Sequence, residues 1–323
     1  HRDLHSFPTR RSSDLSLRML LALRKRRAEF DLIHLNEITL LPLGVLAKRL
    51  LRLPLVVHIR SLQPSTKDIR TRMIDRLLMH NADAVIAIDE SVRRTLPVEL
   101  SVQVIHNVLQ VDSTTKLVEV DDTQTFRVAM VGGLLKLKGV YEFVEAARIC
   151  KQRGLPAKFV IAGENVRELC GLKGWLLAKF GFSRDVRTDL ERMIRDYALE
   201  EMVELKGFVR CVTDLYRSVD LLCFPSHLNA AGRPVFEAAF FGVPSVVAVE
   251  DPPADSLIHG VSGLAIPARD PAALADAITS LCLDRSCCRR MGEAARRLAE
   301  ENYSPTVNAE RLYAVYKKTS GHG

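Results

Sequence analysis

Residues 221–250 constrain the fold of this chain more than any other stretch. They predict, in order, a strand at Leu221–Phe224, a loop at Ser226–Arg233, a helix at Val235–Phe241 and a strand at Pro244–Val249. Two short apolar runs joined by a helix are typical of parallel strands, which need a crossover connection. Pro234 favours the start of the helix, and Gly242 favours its end. The stretch therefore predicts a β-α-β unit.

The start of this predicted helix favours the binding of an anion. Gly232 precedes the helix, and the first backbone N–H groups of a helix have no partner within it, so they suit a phosphate group. Glu237 lies one turn into the helix, where its carboxylate can accept hydrogen bonds from sugar hydroxyls. Gly232, Arg233, Pro234 and Glu237 are therefore predicted to belong to a binding site.

A second glycine loop has the same character. Gly132 and Gly133 follow a predicted strand at Arg127–Val131 and precede a predicted helix at Lys138–Arg153. Glycine pairs let backbone N–H groups approach a phosphate, and a lysine adds a point charge. The signal is weak by itself, but it adds Gly132, Gly133 and Lys138 to the candidate site.

Strands and helices alternate along most of the chain, which predicts two α/β domains with parallel sheets. Further strands are predicted at 30–34, 54–59, 82–88, 102–106, 158–162, 203–207 and 264–266. Further helices are predicted at 39–51, 67–80, 90–94, 186–198, 213–219, 270–283, 285–300 and 304–318. Polar residues 108–125 lack periodicity and predict a linker. The predicted domains are 16–125, which includes the linker, and 126–303, followed by a terminal helical segment at 304–323.

Residues 1–15, HRDLHSFPTRRSSDL, have no apolar periodicity. They resemble translated sequencing-adapter read-through at the ends of gene models, so we expect a leader that is not native to the protein.

The motifs around the central stretch resemble those of the retaining glycosyltransferases of the GT-B fold, family 4. The family signature is Pro-Ser, then Glu-x7-Glu, then Gly-x-Pro. Here Pro225-Ser226, Glu237 and Gly242-Val243-Pro244 match it in order and spacing, whereas Asn229 stands in place of the first glutamate. The resemblance implies two Rossmann-like domains facing a cleft, with the last helix crossing back to the N-terminal domain. It also implies an incomplete N-terminal domain, because the family's usual first strand and glycine-rich turn are missing.

The resemblance also implies roles for the donor-side residues. Glu237 corresponds to the glutamate that binds the ribose of the nucleotide, and Lys138 to a lysine on the donor diphosphate. Gly133 stands where the family has an arginine, which removes one bidentate phosphate contact. Arg233, in the other phosphate-facing loop, is a candidate for the missing charge; the alternative is an ordinary surface arginine.

Two further positions bear on catalysis. Asn229 corresponds to the glutamate that contacts the donor sugar, and an amide there cannot take a proton or offset positive charge. His58 ends a predicted buried strand, where the family often has a histidine close to the reacting sugar and the acceptor. A polar residue at such a strand end faces the ligand crevice of an open α/β sheet, although a loop histidine with structural partners is the alternative.

The function expected from the resemblance is sugar transfer from a nucleotide-sugar donor, with retention, to a polysaccharide, lipid-linked or other glycan acceptor. No metal and no cofactor are expected. One alternative is a homologue that binds a nucleotide sugar without catalysis, which Asn229 and Gly133 favour. Another is an epimerase or hydrolase of sugar nucleotides on the same fold, against which the order of the motifs argues.

The charge of the chain is uneven. The formal net charge is +7, and residues 18–76 hold thirteen Lys and Arg against five Asp and Glu, a local net charge of +8. With the segment around Trp175, this predicts peripheral contact with an anionic membrane; a merely solvated basic face is the alternative. Interleaved aromatic residues are missing from the basic region, which argues against a nucleic-acid partner. Seven cysteines without metal-ligand spacing are typical of reduced thiols, so we expect a cytoplasmic protein. The predicted membrane contact would then be at the inner face of the cytoplasmic membrane.

Overall fold

The computed structural model describes residues 10–64, 68–109, 125–165 and 185–321, with side chains from Arg18 onward. These residues form two compact units. Unit 1 comprises the chain up to Val108 together with the segment from Pro305, and unit 2 comprises Leu109–Ser304. Most of the predicted linker and the segment around Trp175 lie outside the described residues.

Unit 1 contains a four-stranded parallel sheet. Its strands are β1 (Ile33–Leu35), β2 (Leu55–Ile59), β3 (Ala84–Ala87) and β4 (Val102–Val104), in the order β1-β2-β3-β4. Its helices are α1 (Arg10–Lys25), α2 (Leu41–Leu51), α3 (Ile69–Asn81), α4 (Glu90–Arg93) and α11 (Pro305–Ser320). The sheet has two buried faces, because alternate residues of a strand point to opposite sides.

The strand β2 illustrates how the two faces are covered. Leu55 and Val57 belong to the core beneath α2 and α3, whereas Val56 packs in a smaller cluster with Val315 of α11. All five residues of β2 are buried, as a near-continuous apolar strand in a parallel sheet requires. The helix α11 is also tied to unit 1 by Asn308, whose side-chain oxygen accepts a hydrogen bond from the backbone N–H of His106.

Unit 2 contains a six-stranded parallel sheet. Its strands are β5 (Phe126–Val131), β6 (Ala157–Ala162), β7 (Val203–Gly207), β8 (Leu221–Phe224), β9 (Ser245–Ala248) and β10 (Gly263–Ile266), in the order β10-β9-β8-β5-β6-β7. Its helices are α5 (Val140–Gln152), α6 (Val186–Asp196), α7 (Val212–Tyr216), α8 (Arg233–Phe240), α9 (Pro271–Leu283) and α10 (Arg285–Tyr303). This is the Rossmann strand order, read from the far edge.

Helices cover both faces of the six-stranded sheet. Phe126, Val128 and Met130 point to the core beneath α5, α6 and α9, while Ala129 points to the core beneath α7 and α8. The prediction of two α/β domains with parallel sheets is confirmed.

Some element bounds differ from the sequence prediction. The helix predicted from Lys138 begins at Val140, because Lys136–Lys138 form a short 3-10 turn and Gly139 takes a left-handed conformation (φ 75°) before α5. The helix predicted from Val235 begins at Arg233, with Gly232 as its N-cap. The helix α1 begins at Arg10, within residues 1–15, where a non-native leader is expected. None of the described helices is long and apolar enough to cross a membrane.

Candidate functional site

The strand order of unit 2 brings the two predicted glycine loops together. β5 and β8 are neighbours in the sheet. The chain passes from β5 to β6 on one side of this pair and from β8 to β9 on the other side, so the strand order reverses between β5 and β8. Open α/β sheets bind ligands at the carboxyl ends of the strands at such a switch point. Gly132 and Gly133 follow β5 directly, and the loop from Pro225 to Gly232 follows β8.

The glycine loop after β5 packs closely against the end of β6. The N–H of Gly132 donates to the carbonyl of Ala162, and Gly132 has a φ of 148°. A Cβ on Gly163 would lie 1.8 Å from the Gly132 oxygen, so only glycine fits there. A Cβ on Gly132 would meet nothing within 4 Å, so the backbone of this turn is open to a ligand there. Gly163, at the end of β6, packs against the Gly132 carbonyl oxygen and holds the turn in place.

The two loops are also joined directly. A Cβ on Gly139 would lie 2.0 Å from the carbonyl oxygen of Pro225. Both the backbone N–H of His227 (2.9 Å) and the Ser226 hydroxyl (3.2 Å) donate to the carbonyl of Leu137. The His227 ring, almost fully buried, contacts the Glu142 carboxylate through Nε2 at 2.9 Å. These contacts hold the turn that carries Lys138 against the loop that follows β8.

Lys138 is half-buried in this turn. Its Nζ lies 5.2 Å from the centre of the Phe224 ring, and burial lowers the pKa of the amine. A cation over an aromatic face keeps its charge while losing part of its water shell, which strengthens its attraction to an anion. The neighbouring Lys136 is exposed.

Glu237 is held by two partners at the start of α8. The Tyr216 hydroxyl donates to Oε2 (2.9 Å), and Arg233 Nε donates to Oε1 (2.7 Å). The Glu237 side chain is 15% exposed, whereas that of Arg233 is 74% exposed. Burial, followed by the charge of Glu237, raises the pKa of the Tyr216 phenol, so this hydroxyl remains a donor. Each carboxylate oxygen can accept a second hydrogen bond, which leaves Glu237 able to bind a ligand hydroxyl.

The N-terminus of α8 lies against the end of β8. Gly232 is the N-cap, and a Cβ there would lie 2.2 Å from the Phe224 ring. Pro234 follows within the first turn, where its missing N–H removes no helical hydrogen bond. The N–H groups of this first turn thus lie at the same strand end as Lys138.

Asn229 lies in the loop between β8 and α8. Its side-chain oxygen accepts a hydrogen bond from the backbone N–H of Glu250 (3.1 Å) and so ties this loop to the end of β9. The amide therefore has a structural partner, and its predicted contact with a donor sugar stays a prediction.

His58 lies inside unit 1, one residue before the end of β2. It is 8% exposed, and its Nε2 has no hydrogen-bond partner among the described residues. Its ring packs edge-on against His34 (centroids 5.6 Å apart), and the Tyr316 hydroxyl of α11 lies 2.8 Å from His34 Nδ1. Burial, with the nearby charges of His34 and Arg60, lowers the pKa of His58 to about 4, so its imidazole is neutral at pH 7. Its predicted role near the acceptor stays a prediction.

Sequence reasoning missed several polar residues of these two strand edges. They are Tyr216, Glu142, Asn36 and Arg60. A lone tyrosine or arginine gives no pattern in the sequence, and the His227–Glu142 pair joins positions 85 residues apart. Within the described residues there is no group of three side chains suited to a metal ion.

Comparison with protein families gives two matches. The model of glycosyl transferases group 1 matches residues 115–298, more than half of the 323 residues. The model of the glycosyl transferase 4-like domain matches residues 2–106. The matches fall on different halves of the chain, in the order that the resemblance of the motifs implies.

Curated relatives are 22–34% identical to this chain over the aligned residues. An uncharacterized glycosyltransferase of Bacillus subtilis, YqgM, is 22% identical over 95% of this chain and 83% of its own length. The alpha-D-kanosaminyltransferase of Streptomyces kanamyceticus is 27% identical over 59% of this chain, and the alignment spans only 45% of that protein.

Solved structures show the same fold. The Anabaena protein HepE, crystallised with UDP, superposes with a TM-score of 0.79 at 20% identity, over 94% of this chain and 82% of that one. The sucrose-phosphate synthase of Thermosynechococcus elongatus superposes with a TM-score of 0.73 at 17% identity, over 98% of this chain and 82% of that one. With the two parallel sheets, these neighbours confirm the predicted GT-B fold.

Proposed function

This chain belongs to the glycosyl transferases group 1 family, and from that membership we propose that it transfers a sugar from a nucleotide-sugar donor to a glycan acceptor. The transfer proceeds with retention of the anomeric configuration, and the acceptor is a polysaccharide, a lipid-linked glycan or another glycan. The observation that carries the proposal is the convergence of both glycine loops, Lys138 and Glu237 at the switch point of the six-stranded sheet.

Each of these groups has a role in the proposed reaction. The backbone at Gly132, Gly133 and the start of α8, with the Lys138 ammonium, binds the diphosphate and stabilises the charge that develops as it departs. Glu237 accepts hydrogen bonds from the ribose hydroxyls. The Arg233 guanidinium, bound to Glu237 through Nε, has its other N–H groups available for phosphate.

The comparisons support a nucleotide-sugar donor. HepE was also crystallised with UDP-glucose, and superposes on this chain with a TM-score of 0.74 at 21% identity. A capsular polysaccharide biosynthesis glycosyltransferase of Staphylococcus aureus, CapM, is 22% identical over 59% of this chain and 46% of its own length. A donor of this class and a polysaccharide acceptor are therefore the first to test.

The test compares two lysines of one turn. Nucleotide sugars and free nucleotides with different bases are titrated calorimetrically against the wild type, Lys138→Ala, the matched control Lys136→Ala, and Glu237→Ala. We expect Lys138→Ala to weaken nucleoside diphosphates but not nucleosides, because it removes the charge that faces the diphosphate. We expect Glu237→Ala to weaken nucleotide sugars by about 1–3 kcal/mol, the cost of losing charge-assisted hydrogen bonds.

Equal donor affinities in the wild type, Lys138→Ala and Glu237→Ala would remove the donor site from these loops. A loss of the same size in Lys136→Ala would show a general charge effect and not a contact of Lys138.

A second candidate function is the binding of a nucleotide sugar without transfer. Asn229 favours it, because a neutral amide bound to the Glu250 N–H cannot offset positive charge at the anomeric centre. Donor binding without turnover, over a panel of glycan and lipid-linked acceptors, would point to this function. Turnover of the donor to free sugar and nucleotide, without acceptor, would point to a hydrolase.

We also propose that the protein works in the cytoplasm at an anionic membrane surface. The basic region 18–76 includes the first part of α3, on which Ile69 is 85% exposed and Met73 is 62% exposed, beside Arg70 and Arg76. Apolar side chains one turn apart, flanked by cations, suit the boundary between headgroups and acyl chains.

The membrane proposal is tested by co-sedimentation with vesicles of phosphatidylglycerol and phosphatidylcholine. We expect binding to rise with the anionic fraction and to fall steeply with salt, since screening weakens attraction between surface charges. Met73→Asp should reduce binding more than Met79→Asp, because Met79 is less exposed at 40%. Binding that is absent, or independent of salt, would leave only a solvated basic face.

A further inference from the structure

Arg60 is the residue that directly follows β2, at the carboxyl edge of the four-stranded sheet. Its side chain is exposed, whereas His58 and Ile59 just before it are buried. The carboxyl edge is where parallel α/β sheets bind their ligands. Arg60 therefore places a guanidinium group at this edge of the sheet, whereas the His58 side chain is buried.

Two amide oxygens hold this guanidinium group. Arg60 Nη1 donates to Oδ1 of Asn36 (2.9 Å), which follows β1, and Arg60 Nη2 donates to Oδ1 of Asn107, which follows β4. The arginine is thus fixed by two residues, which follow two other strands of the sheet. Fixing a long side chain in advance lowers the entropy that a ligand must remove on binding.

The partners of Arg60 orient its charge without cancelling it. Elsewhere, guanidinium groups are paired with carboxylates, as in Arg153–Asp276, Arg187–Glu191 and Arg233–Glu237. Within the described part of the chain, Arg60 forms no such ion pair. Asparagine oxygens accept hydrogen bonds but carry no net charge, so the full positive charge of Arg60 remains.

The neighbouring ionisable groups do not offset it either. The Glu37 carboxylate accepts from the backbone N–H of Ile38 (2.8 Å) and from the Ser61 hydroxyl (3.2 Å), and lies outside ion-pair distance of Arg60. His34 and His58, both partly or fully buried nearby, carry no negative charge in either protonation state. The two amides take one N–H from each of Nη1 and Nη2, so three of the five guanidinium N–H groups are not used by these contacts and can donate to an oxyanion.

We propose that Arg60, held by Asn36 and Asn107, is a binding site for an oxyanion of the acceptor, a phosphate or a carboxylate group. This inference rests on the proposed transferase function and names the acceptor class: an anionic glycan or a phosphorylated carrier, bound by unit 1. The donor site proposed above uses other residues, all in unit 2, so the two sites are tested separately.

The experiment measures the protection of Arg60 from phenylglyoxal, a reagent that modifies exposed arginines. The full chain is labelled in a buffer without phosphate, in the presence of glucose 6-phosphate, glucuronate, glucose or UDP at equal ionic strength. Peptides from a protease that does not cleave at arginine give the labelling rate of each site by mass spectrometry. Arg72, an exposed arginine of α3, is the internal control.

We expect glucose 6-phosphate or glucuronate to slow the labelling of Arg60 several-fold relative to glucose, with no change at Arg72. Protection by the phosphate sugar alone assigns a phosphate group, and protection by glucuronate alone assigns a carboxylate. Equal labelling of Arg60 with all three sugars overturns the proposal. Protection by UDP alone also overturns it, since the anion would then belong to the donor.

The second measurement uses a variant that changes the charge next to Arg60 but keeps the shape of the side chain. Asn36→Asp places a carboxylate against the guanidinium, so we expect the charged sugars to protect Arg60 no better than glucose. The unfolding midpoint of the variant, measured alongside, ensures that the comparison is made on folded protein. Full protection in Asn36→Asp would show that the charge of Arg60 does not bind the sugar, which overturns the proposal. If the calorimetric experiment on Lys138 and Glu237 showed no nucleotide binding, the protection of Arg60 by charged sugars could still be observed, so the two proposals can fail separately.

Discussion

The carboxyl edge of the six-stranded sheet is built largely from glycine and backbone atoms, whereas the same edge of the four-stranded sheet is built from large polar side chains. In unit 2, Gly139 lets the backbone contact Pro225, and Gly163 lets it contact Gly132. Lys138 and Glu237 lie beside these contacts. In unit 1, Arg60 and its two asparagines occupy the edge, with His34 and His58 packed behind them.

The difference reflects what each edge can recognise. A backbone lined with glycines offers N–H groups at short range, which suit a diphosphate common to many donors. Side chains that reach from several strands can differ between relatives without changing the fold, and so suit recognition of a particular acceptor. Three predictions test this contrast, from the largest expected effect to the smallest.

The largest effect is expected at Gly139. Gly139→Ala forces a left-handed conformation (φ 75°) on a residue with a Cβ, and that Cβ would lie 2.0 Å from the Pro225 carbonyl oxygen. We expect the free energy of unfolding to fall by about 3 kcal/mol or more, the sum of backbone strain and overpacking. Chemical denaturation measures the loss, and nucleotide titration should show weaker binding.

Gly154→Ala separates the two causes. Gly154 also has a positive φ (69°), but a Cβ there would meet nothing within 4 Å, so only strain of about 1–2 kcal/mol is expected. Equal losses in both variants would show that the contact between the loops contributes nothing, and the contrast drawn for unit 2 would fail.

The next effect, smaller for each pH unit, is expected from His58 as the pH falls. The pKa of His58 in the folded protein is about 4, below the ordinary value of 6.5, so the unfolded chain takes up the proton first. The free energy of unfolding should therefore be unaffected by this group above pH 6.5, and decrease by up to about 1.4 kcal/mol per pH unit between pH 6.5 and pH 4. His58→Gln should remove this part of the slope.

Denaturation at a series of pH values measures the slope. His80→Gln, at an exposed histidine of α3, is the matched control. If the wild type and His58→Gln show the same slope while both remain folded, then folding does not lower the pKa of His58, and its imidazole is not buried beside His34.

The smallest effect on stability is expected at Asn229. Asn229→Asp keeps the oxygen that accepts from the Glu250 N–H, so the free energy of unfolding should change by less than about 0.5 kcal/mol. Asn229→Glu should leave donor affinity within a few-fold. It should raise turnover with neutral donors, because negative charge stabilises an oxocarbenium-like state. With acidic donors the added charge should lower affinity, because two carboxylates repel each other.

These outcomes are read from turnover and donor affinity across a panel of neutral and acidic nucleotide sugars. Variants that match the wild type on every donor would show that position 229 does not face the sugar.

Much of the fold could be predicted because its signals are local. Short apolar runs, the Pro234 helix start and the glycine at position 242 predicted strands and helices within a few residues of their observed bounds. The turn before α5 was predicted as helix, because nothing local to Lys138 shows that Gly139 must accommodate the Pro225 carbonyl.

The sequence by itself determined the parallel α/β class, the two glycine loops and the choice of Lys138 and Glu237, because each depends on residue types and spacings within about ten positions. Only the tertiary structure decided that Tyr216 binds Glu237, that His227 reaches Glu142, and that Arg60 lies between Asn36 and Asn107. Such contacts join residues far apart in the chain. They depend on strand order and register, which bring the ends of distant segments to one edge of a sheet.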